Sequence, residues 1–333
     1  MSVPVGNKLR WGILSTATIA KSYYDTIVNS HHSVVIAVAS RTKEKAVEFA
    51  ANRNIEFIFD SYDDLINSSH VDIIYIPLPT GVRIDYIIKS LEAGKHVLIE
   101  KPITVTAEDA ERIFVLAKSK NLFVLDGTMW LHHERIRQIE EKIKNEVIGD
   151  VKYVNCITCS PITNGSNIRV QNHLEPFGCL GDLGWYSVRM ILFLYKSLPI
   201  KVSGNYITKV NDTIHAFSGR LFFGSDNFAE LFCSFSVSRL QRVTIVATNG
   251  QICLDNWITR NENSEYSVSV ANQKTEIVTV DYFNHLDAML SYFAAQVNLP
   301  DRNLDLFQGA VATMKVLCAL IESANTNSIV NIN

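Results

Sequence analysis

An acid and a phenol stand four residues apart in the segment Asp182-Leu-Gly-Trp-Tyr186. If this segment begins a helix, the spacing places both side chains on one face. A phenol can donate a proton to the alkoxide that forms when hydride reaches a carbonyl carbon, and can accept it in the reverse direction. Tyr186 is therefore the candidate general acid for reduction and general base for oxidation. The competing interpretation is a core tyrosine with a satisfied hydroxyl.

A second group is needed because a tyrosine of ordinary pKa, about 10, is a poor base at neutral pH. Lowering that pKa by ~2 units requires about 2.7 kcal/mol, which an ammonium group in a low-dielectric cleft can supply. Lys101 is the candidate cation, since it directly follows the apolar run His96–Glu100. Ligands of doubly wound sheets bind at the carboxyl ends of strands, where such a lysine would lie. The competing interpretation is a solvated surface charge.

The elements that must position Lys101 fill residues 1–125, where short apolar runs alternate with helical patterns. Runs of Val, Ile and Leu indicate strands covered on both faces, as in parallel sheets. Strand–helix alternation predicts an N-terminal Rossmann domain, an α/β fold with a doubly wound parallel sheet. The predicted strands are Leu9–Leu14, Val34–Ser40, Ile55–Phe59, Val71–Pro77, His96–Glu100 and Phe123–Leu125.

Residues 126–333 change to longer strands of alternating polarity. Helices are predicted at Arg135–Asn145, Asp182–Tyr195, His285–Val297 and Leu306–Ala324. The pair Asn249–Gly250 predicts a hairpin. We expect a C-terminal α+β domain with a large, mostly antiparallel open sheet of about six strands and helices on one face. The last helix can pack back on the first domain, and the other sheet face suits a homodimer.

Composition excludes several classes of protein. Of the 333 residues, 47% are hydrophobic and 20% charged, which is typical of globular domains. The formal net charge is −3 with scattered Lys and Arg, so no surface for nucleic acid is expected. No apolar run approaches the roughly 20 residues of a membrane span, and the N-terminus lacks a signal-peptide pattern. We expect a cytoplasmic protein that binds neither nucleic acid nor membranes.

Cysteines and most histidines are predicted to have no role in chemistry. Cys156 and Cys159 form a C-x-x-C pair, which can indicate zinc or redox chemistry. They lie in an apparent strand, in which residues three apart point to opposite faces, and no second ligand pair stands nearby. We therefore predict no metal site and reduced thiols. Four histidines are expected at the surface: His31, His32, His70 and His285.

Two turns are candidate contacts for a dinucleotide. On the pattern G-x-G-x-x-A, the turn after the first strand offers Ser15, Ala17 and Ala20, of which only the last matches, so an ordinary strand–helix turn is the alternative. The second strand ends in Ser40 and Arg41, without the acid that NAD enzymes place there. A guanidinium can stack on adenine and pair with a 2′-phosphate, which favours NADP. A solvated arginine is the alternative.

Segments along nearly the whole chain carry a family signature. They include SRTKEKAVEFA, IIYIPLPT, DGTMWLHHERIRQIEEKI, VIGDVKYV, NIRV, GCLGDLGWYSVR and, above all, AGKHVLIEKP. With its Glu-Lys-Pro at the end of the fifth strand, the chain resembles the glucose–fructose oxidoreductase/inositol dehydrogenase/MocA (Gfo/Idh/MocA) family. The branch that it resembles most contains dimeric dihydrodiol dehydrogenases, nucleotide-sugar 3-ketoreductases and plant relatives.

This resemblance implies roles for individual residues. Lys101 and Tyr186, whose family counterpart can be His, would be catalytic, and Asp182 would orient the substrate. The implied cofactor contacts are Gly12, Ser15, Thr16, Ala17, Ile19, Ser40, Arg41, Pro77, Leu78, Thr80, Glu100 and Lys101. On the substrate side the implied residues are Trp130, His132, Arg169 and His173. Arg169 would pair with a substrate phosphate or carboxylate, or with Glu175; Trp130 would stack on a sugar ring or lie in the core.

The chain departs from the family pattern at several places. Ser15 replaces the usual first glycine of the turn, so its backbone is less free to take a positive φ. After Pro79 the family often has Asn and then, four residues on, His, whereas this chain has Thr80 and then Arg83–Ile84. Asp126 stands where Glu is common.

The sequence thus predicts an NADP(H)-dependent dehydrogenase or reductase acting on CH–OH donors. Its small-molecule substrate would be a sugar, sugar derivative or cyclic diol, and hydride transfer would be reversible. One alternative is glycosidase-type chemistry with a retained NAD, against which Arg41 argues. The other is a non-catalytic nicotinamide-binding regulator, which Ser15 favours and the Lys101, Asp182 and Tyr186 set disfavours.

Overall fold

The computed structural model describes residues 8–258 and 264–332. It divides into two compact units. The first comprises the described residues up to Thr104, Glu108–Gly127 and Leu286–Gln308; the second comprises Val105–Ala107, Thr128–His285 and the described residues from Gly309. The segment Leu286–Gln308, which the sequence analysis placed in the second domain, groups with the first unit. Residues 1–7, part of the N-terminal segment tested for a signal peptide, lie outside the described residues.

Six strands form the sheet of the first unit, all pairs parallel. They are β1 (Leu9–Leu14), β2 (Ser33–Ala39), β3 (Phe57–Phe59), β4 (Ile73–Ile76), β5 (His96–Ile99) and β6 (Val124–Asp126). Their order, β3-β2-β1-β4-β5-β6, is that of dinucleotide-binding doubly wound sheets. The predicted parallel α/β sheet is confirmed, with strand ends shifted by at most two residues.

Helices complete both units. They are α1 (Thr18–Asn29), α2 (Lys43–Ala50), α3 (Tyr62–Asn67), α4 (Ile84–Glu92), α5 (Ala107–Ser119), α6 (Glu134–Lys144), α7 (Trp185–Tyr195), α8 (His285–Val297) and α9 (Asp305–Thr326). Phe293 of α8 packs against Trp11 and Phe123, with ring centroids 5.1 and 4.9 Å apart. These aromatic contacts bury an apolar face of α8 in the core of the first unit.

The described residues of the second unit form a nine-stranded sheet. Its strands are β7 (Val151–Cys159), β8 (Lys201–Val210), β9 (Thr213–Phe222), β10 (Phe228–Ser234), β11 (Leu240–Ala247), β12 (Gly250–Asp255), β13 (Ser264–Val270), β14 (Glu276–Val280) and β15 (Val330–Asn331). The order is β14-β13-β12-β11-β7-β10-β9-β8-β15, antiparallel except for the parallel pair β7–β10. The mostly antiparallel sheet and the β11–β12 hairpin are confirmed.

The predicted number of about six strands is wrong. β7 precedes α7 in the chain yet pairs near the sheet centre, between β11 and β10. β15 has two residues, too few to show any periodic pattern. Non-local pairing and very short strands leave no local signal in a sequence.

The two faces of this sheet differ in burial. Alternate residues of β7, such as Val154 and Cys156, are fully buried, whereas Tyr153 on the opposite face is half-buried. On that opposite face Tyr153 donates a hydrogen bond to Glu230 (2.8 Å), which also pairs with Arg220. The sequence analysis expected a homodimer to form through the uncovered face of the sheet, and this homodimer stays a prediction.

One described helix, α9, is long and apolar enough to cross a membrane, with 22 residues and a mean hydropathy of 1.3 over an 18-residue window. The expectation that no apolar segment approaches this length is therefore wrong for α9. A core helix passes the same test, and 56% of this helix's apolar window is buried. Ser323 of α9 accepts a hydrogen bond from the backbone of Gly204 in β8 (3.0 Å). Length and apolarity alone are thus weak evidence for a span.

Candidate functional site

The exit of β5 presents Glu100, Lys101 and Pro102. The carboxylate of Glu100 accepts a hydrogen bond from the Tyr75 hydroxyl (2.8 Å), and the Tyr75 ring stacks on Tyr23 with centroids 4.1 Å apart. Burial, and then the charge of Glu100, raise the pKa of Tyr75 well above its ordinary value, so its hydroxyl keeps the proton that it donates. Lys101 is half-buried and its peptide bond to Pro102 is cis. The sheet edge thus carries a fixed carboxylate followed by a lysine.

The turn between β1 and α1 fits a pyrophosphate. Ser15 has φ 126°, in the region that favours glycine, and its hydroxyl accepts a hydrogen bond from the Ala17 backbone N–H (3.1 Å). The serine therefore adopts the conformation that the sequence analysis considered restricted for it. Within the described chain, the N-cap Ala17 makes no side-chain hydrogen bond and no acid lies in the first turn of α1. The helix N-terminus is thus open to an anion.

The remaining expected cofactor contacts lie in or after β1 and at the carboxyl end of β4. Thr16 is half-buried and Ile19 is exposed at the start of α1. Gly12 lies inside β1, where a Cβ would stand 2.6 Å from a methyl carbon of Leu65. At the exit of β4, Pro77, Leu78 and Thr80 are buried. Because β1, β4 and β5 are neighbours and parallel, their exits lie along one sheet edge.

The end of β2 fits a phosphorylated ribose. Ser40 is buried, while the Arg41 side chain is exposed. The hydroxyl of Tyr62, at the start of α3, is hydrogen-bonded to the backbone of Arg41. The nearby cation Lys43 is already paired with Asp60 (3.0 Å). Arg41 thus presents an exposed guanidinium at this strand end.

In the second unit, an irregular turn carries the predicted acid. Leu180–Gly184 forms one π-helical turn, and α7 begins directly after it at Trp185. Such wide turns are rare and are frequent at functional sites. The Trp185 indole donates a hydrogen bond to Thr128 (2.8 Å), which anchors this helix start. The predicted single helix from Asp182 is thus replaced by a π turn holding Asp182 and an α-helix holding Tyr186.

Asp182 is paired with Arg169. The Arg169 Nε and the Asp182 Oδ1 are 3.0 Å apart, and the Asp182 side chain is 18% exposed. The sequence analysis offered a substrate anion or Glu175 as the partner of Arg169, and the structure gives Asp182 instead. The charge of Asp182 raises the pKa of Arg169, which also interacts electrostatically with Tyr186. The structure therefore adds Arg169 as a cation near the phenol of Tyr186, whereas the sequence analysis had considered Arg169 only as a substrate contact.

Tyr186 is mostly buried and contacts an aromatic cluster through Trp257. Trp257 meets it edge-on with centroids 6.4 Å apart, and Trp130 meets Trp257 edge-on at 5.1 Å. Trp130 is fully buried and also contacts Phe193. Of the two alternatives for Trp130, stacking on a sugar ring or packing in the core, the structure shows the second. The Trp130 ring would have to move before it could contact a substrate. Trp257 was not predicted; an indole two residues after β12 was its only signal.

The histidines fall into two groups. His173, expected near substrate, is exposed, as are His31, His32 and His70. Burial, and then the charge of Arg189, lower the pKa of the half-buried His132 to about 4, so it is neutral at pH 7. The surface expectation for His285 is wrong, because it is 1% exposed and lies against His133 with centroids 5.6 Å apart.

The buried His285 predicts that the folded protein loses stability in acid. Burial, and then the charge of His133, lower its pKa to about 4, so between pH 6.5 and 4 the unfolded chain binds more protons. Stability must fall with pH in that window. From pH 7 to 5 this histidine should cost about 2 kcal/mol of unfolding free energy. We expect His285→Gln to lose less stability over that range in urea unfolding at the two pH values. Equal losses in both proteins would contradict this.

The C-x-x-C pair is buried in the sheet of the second unit. Cys156 and Cys159 are buried, and burial raises the pKa of Cys159 to about 11, so its thiol stays protonated. All six cysteines are free. In residues 8–258 and 264–332, no group of three or more His, Cys, Asp or Glu side chains is placed to hold a metal.

The first unit has the strand order and open helix N-terminus of a dinucleotide-binding domain. The sequence profile described as "Oxidoreductase family, NAD-binding Rossmann fold" matches residues 9–128, and that of the GFO/IDH/MocA C-terminal domain matches residues 136–253. The chain belongs to the Gfo/Idh/MocA family of oxidoreductases, as the resemblance predicted.

Relatives lie in the predicted branch. A dTDP-3,4-didehydro-2,6-dideoxy-alpha-D-glucose 3-reductase from Saccharopolyspora spinosa is 35% identical over 182 residues, 54% of this chain and 54% of the relative, so the match spans about half of its length. A trans-1,2-dihydrobenzene-1,2-diol dehydrogenase from Sus scrofa is 27% identical over 277 residues, 79% and 81% of the two chains. A 3-ketoreductase from Actinomadura kijaniata, solved with NADP and TDP-benzene, shares the fold with TM-score 0.89, 22% identity and coverage of 95% and 98%.

Proposed function

We propose that this protein transfers hydride reversibly between NADP(H) and a carbonyl or secondary alcohol of a sugar, sugar derivative or cyclic diol. The observation that carries the proposal is the Arg169–Asp182 pair beside Tyr186, in a chain that places Lys101 just after β5 of its Rossmann sheet. Relatives named as sugar 3-reductases and a diol dehydrogenase support this substrate class.

NADPH, when bound, supplies the hydride; the chain's own groups handle the proton and the substrate. Tyr186 donates a proton to the developing alkoxide. The guanidinium of Arg169 stabilises the phenolate that is left, since a nearby cation favours the charged form. Lys101 supplies a second positive charge, and Asp182 accepts hydrogen bonds from substrate hydroxyls. His132 and His173 remain our candidates for further substrate contacts.

NADP is favoured as the cofactor by the end of β2. Arg41 is exposed there, and no acid lies between it and Glu44 to bind ribose hydroxyls. A relative named D-xylose 1-dehydrogenase (NADP(+)) 2, from Haloferax volcanii, is 25% identical over 98% of this chain and 100% of its own length. The open N-terminus of α1 would hold the pyrophosphate.

Activity on a substrate panel tests the proposal. Wild-type protein would be mixed with NADPH and keto-sugars, including a dTDP-linked one, or with NADP⁺ and aldoses or trans-diols, and absorbance at the NADPH band followed. Turnover with NADPH exceeding that with NADH supports the proposal. A nicotinamide that co-purifies and survives glycoside cleavage would favour the retained-cofactor chemistry. Tight NADPH binding with no turnover on any compound would favour the regulator.

Arg41→Ala should weaken NADPH binding roughly 10- to 100-fold, because a charge-assisted bond to the 2′-phosphate contributes about 1.5–3 kcal/mol. NADH affinity should hardly change, since that ribose carries no phosphate. Dissociation constants from nicotinamide fluorescence measure both. Lys43→Ala is the matched control, as Lys43 is already paired with Asp60. An equal loss for the two cofactors would remove Arg41 from cofactor selection.

A further inference from the structure

A buried arginine braces the turn that carries Lys101. Arg83 is 2% exposed and stands at the N-cap of α4. Its Nη1 donates hydrogen bonds to the backbone carbonyls of Glu100 and Pro102, the latter at 2.8 Å. These carbonyls belong to the residues on either side of Lys101. One side-chain nitrogen therefore ties together the backbone before and after the lysine.

The chemistry of the guanidinium suits this task. An arginine stays charged at any working pH, and its Nη1 carries two hydrogens, enough for two carbonyls. Burying such a charge is costly unless its hydrogen bonds are made, so the turn must keep its shape for Arg83 to stay satisfied. Thr80 contributes at the same place, with its hydroxyl 3.5 Å from the Pro102 carbonyl. The connection from β4 to α4 is thus fastened to the exit of β5.

We propose that Arg83 is a positioning residue for Lys101, fixing the backbone from which the ammonium is presented to the substrate. The proposal rests on the proposed function, since it concerns the place of an amine that the reaction uses. A misplacement of ~1 Å in a catalytic group can cost about 100-fold in rate.

Arg83→Met tests the proposal by turnover and by hydrogen exchange. We expect kcat to fall about 100-fold while the NADPH dissociation constant changes less than about threefold. In the protein without cofactor, backbone amides in residues 99–104 should exchange about tenfold faster, and amides of the second unit should not. In a Lys101→Met background, Arg83→Met should change kcat less than about threefold, because the lysine through which it acts is gone.

Lys95 provides a matched control in the same unit. It is 9% exposed, and its Nζ donates to the carbonyls of Ser68 and Val71, both at 2.7 Å. Lys95→Met should lower thermal stability and leave kcat near the wild-type value. Arg83→Lys should recover most of the lost rate, because an ammonium can serve two carbonyls as Lys95 does.

Three results would overturn the Arg83 proposal. One is wild-type kcat in Arg83→Met; another is unchanged exchange in residues 99–104; the third is an equal loss of kcat with and without Lys101. If Arg83→Met does not fold, the same measurements of turnover and exchange are made on Arg83→His. A wild-type protein without NADPH-linked turnover would instead refute the proposed function, and the exchange measurement would still decide whether Arg83 braces the turn.

Discussion

Tyr186→Phe is expected to lower kcat for carbonyl reduction about 10³-fold, because general acid catalysis contributes roughly 10²–10⁴-fold. The substitution removes one oxygen and keeps the ring that packs against Trp257. NADPH binding should therefore be preserved. Initial rates of NADPH consumption, with binding followed by fluorescence, measure the two effects separately.

The same substitution must lower kcat/KM by the same factor in both directions, since an enzyme does not change the equilibrium constant of the reaction that it catalyses. Oxidation of the alcohol with NADP⁺ should thus fall by the same factor. Tyr195→Phe is the matched control on α7, because the Tyr195 hydroxyl donates its hydrogen bond to the backbone carbonyl of Phe228 (2.9 Å). It should cost about 1 kcal/mol of stability and leave kcat unchanged. Retained turnover in Tyr186→Phe would remove that phenol from the mechanism.

Lys101→Met should lower kcat about 10²- to 10³-fold, because the developing negative charge loses a cation in a low-dielectric site. Lys101→Arg restores the charge with a different shape and should recover part of that loss. Steady-state rates with NADPH and a saturating carbonyl substrate are the measurement. A methionine variant with wild-type kcat would show that Lys101 is a surface charge.

Combining the two substitutions asks whether the groups act as a unit. Residues that serve one step are strongly non-additive, so Tyr186→Phe with Lys101→Met should be hardly slower than the slower single variant. Losses that multiply in the double variant would indicate two independent effects. This comparison of rates needs no assumption about where either side chain lies.

The sheet of the first unit was predictable because its strands are continuous apolar runs. Val71–Pro77 and His96–Glu100 have the composition of strands covered on both faces, and the structure buries all of Ile73–Ile76. The amphipathic helix predicted at Arg135–Asn145 was also placed to within one residue, at Glu134–Lys144. The motif AGKHVLIEKP placed Lys101 at the carboxyl edge by the same logic.

What the sequence could not supply depends on contacts between distant residues. The parallel pairing of β7 with β10 joins segments about 75 residues apart, which no local pattern encodes. The Arg169–Asp182 pair forms because a single 3-10 turn, Ile168–Val170, meets a π turn, and neither feature has a periodic signature. His285 and Arg83 are buried polar residues, whose position in a core is visible only when their neighbours are known.

Any ligand that reaches Asp182 meets a carboxylate already neutralised by a guanidinium 3.0 Å away. A cationic group such as that of an amino sugar gains little attraction there. A hydroxyl, by contrast, can donate to the carboxylate and accept from the arginine at once. Collections for inhibitor discovery against this protein should therefore begin with uncharged polyols and keto-polyols. The affinity of such compounds for the Asp182–Arg169 pair should depend little on salt concentration, because they carry no net charge to be screened.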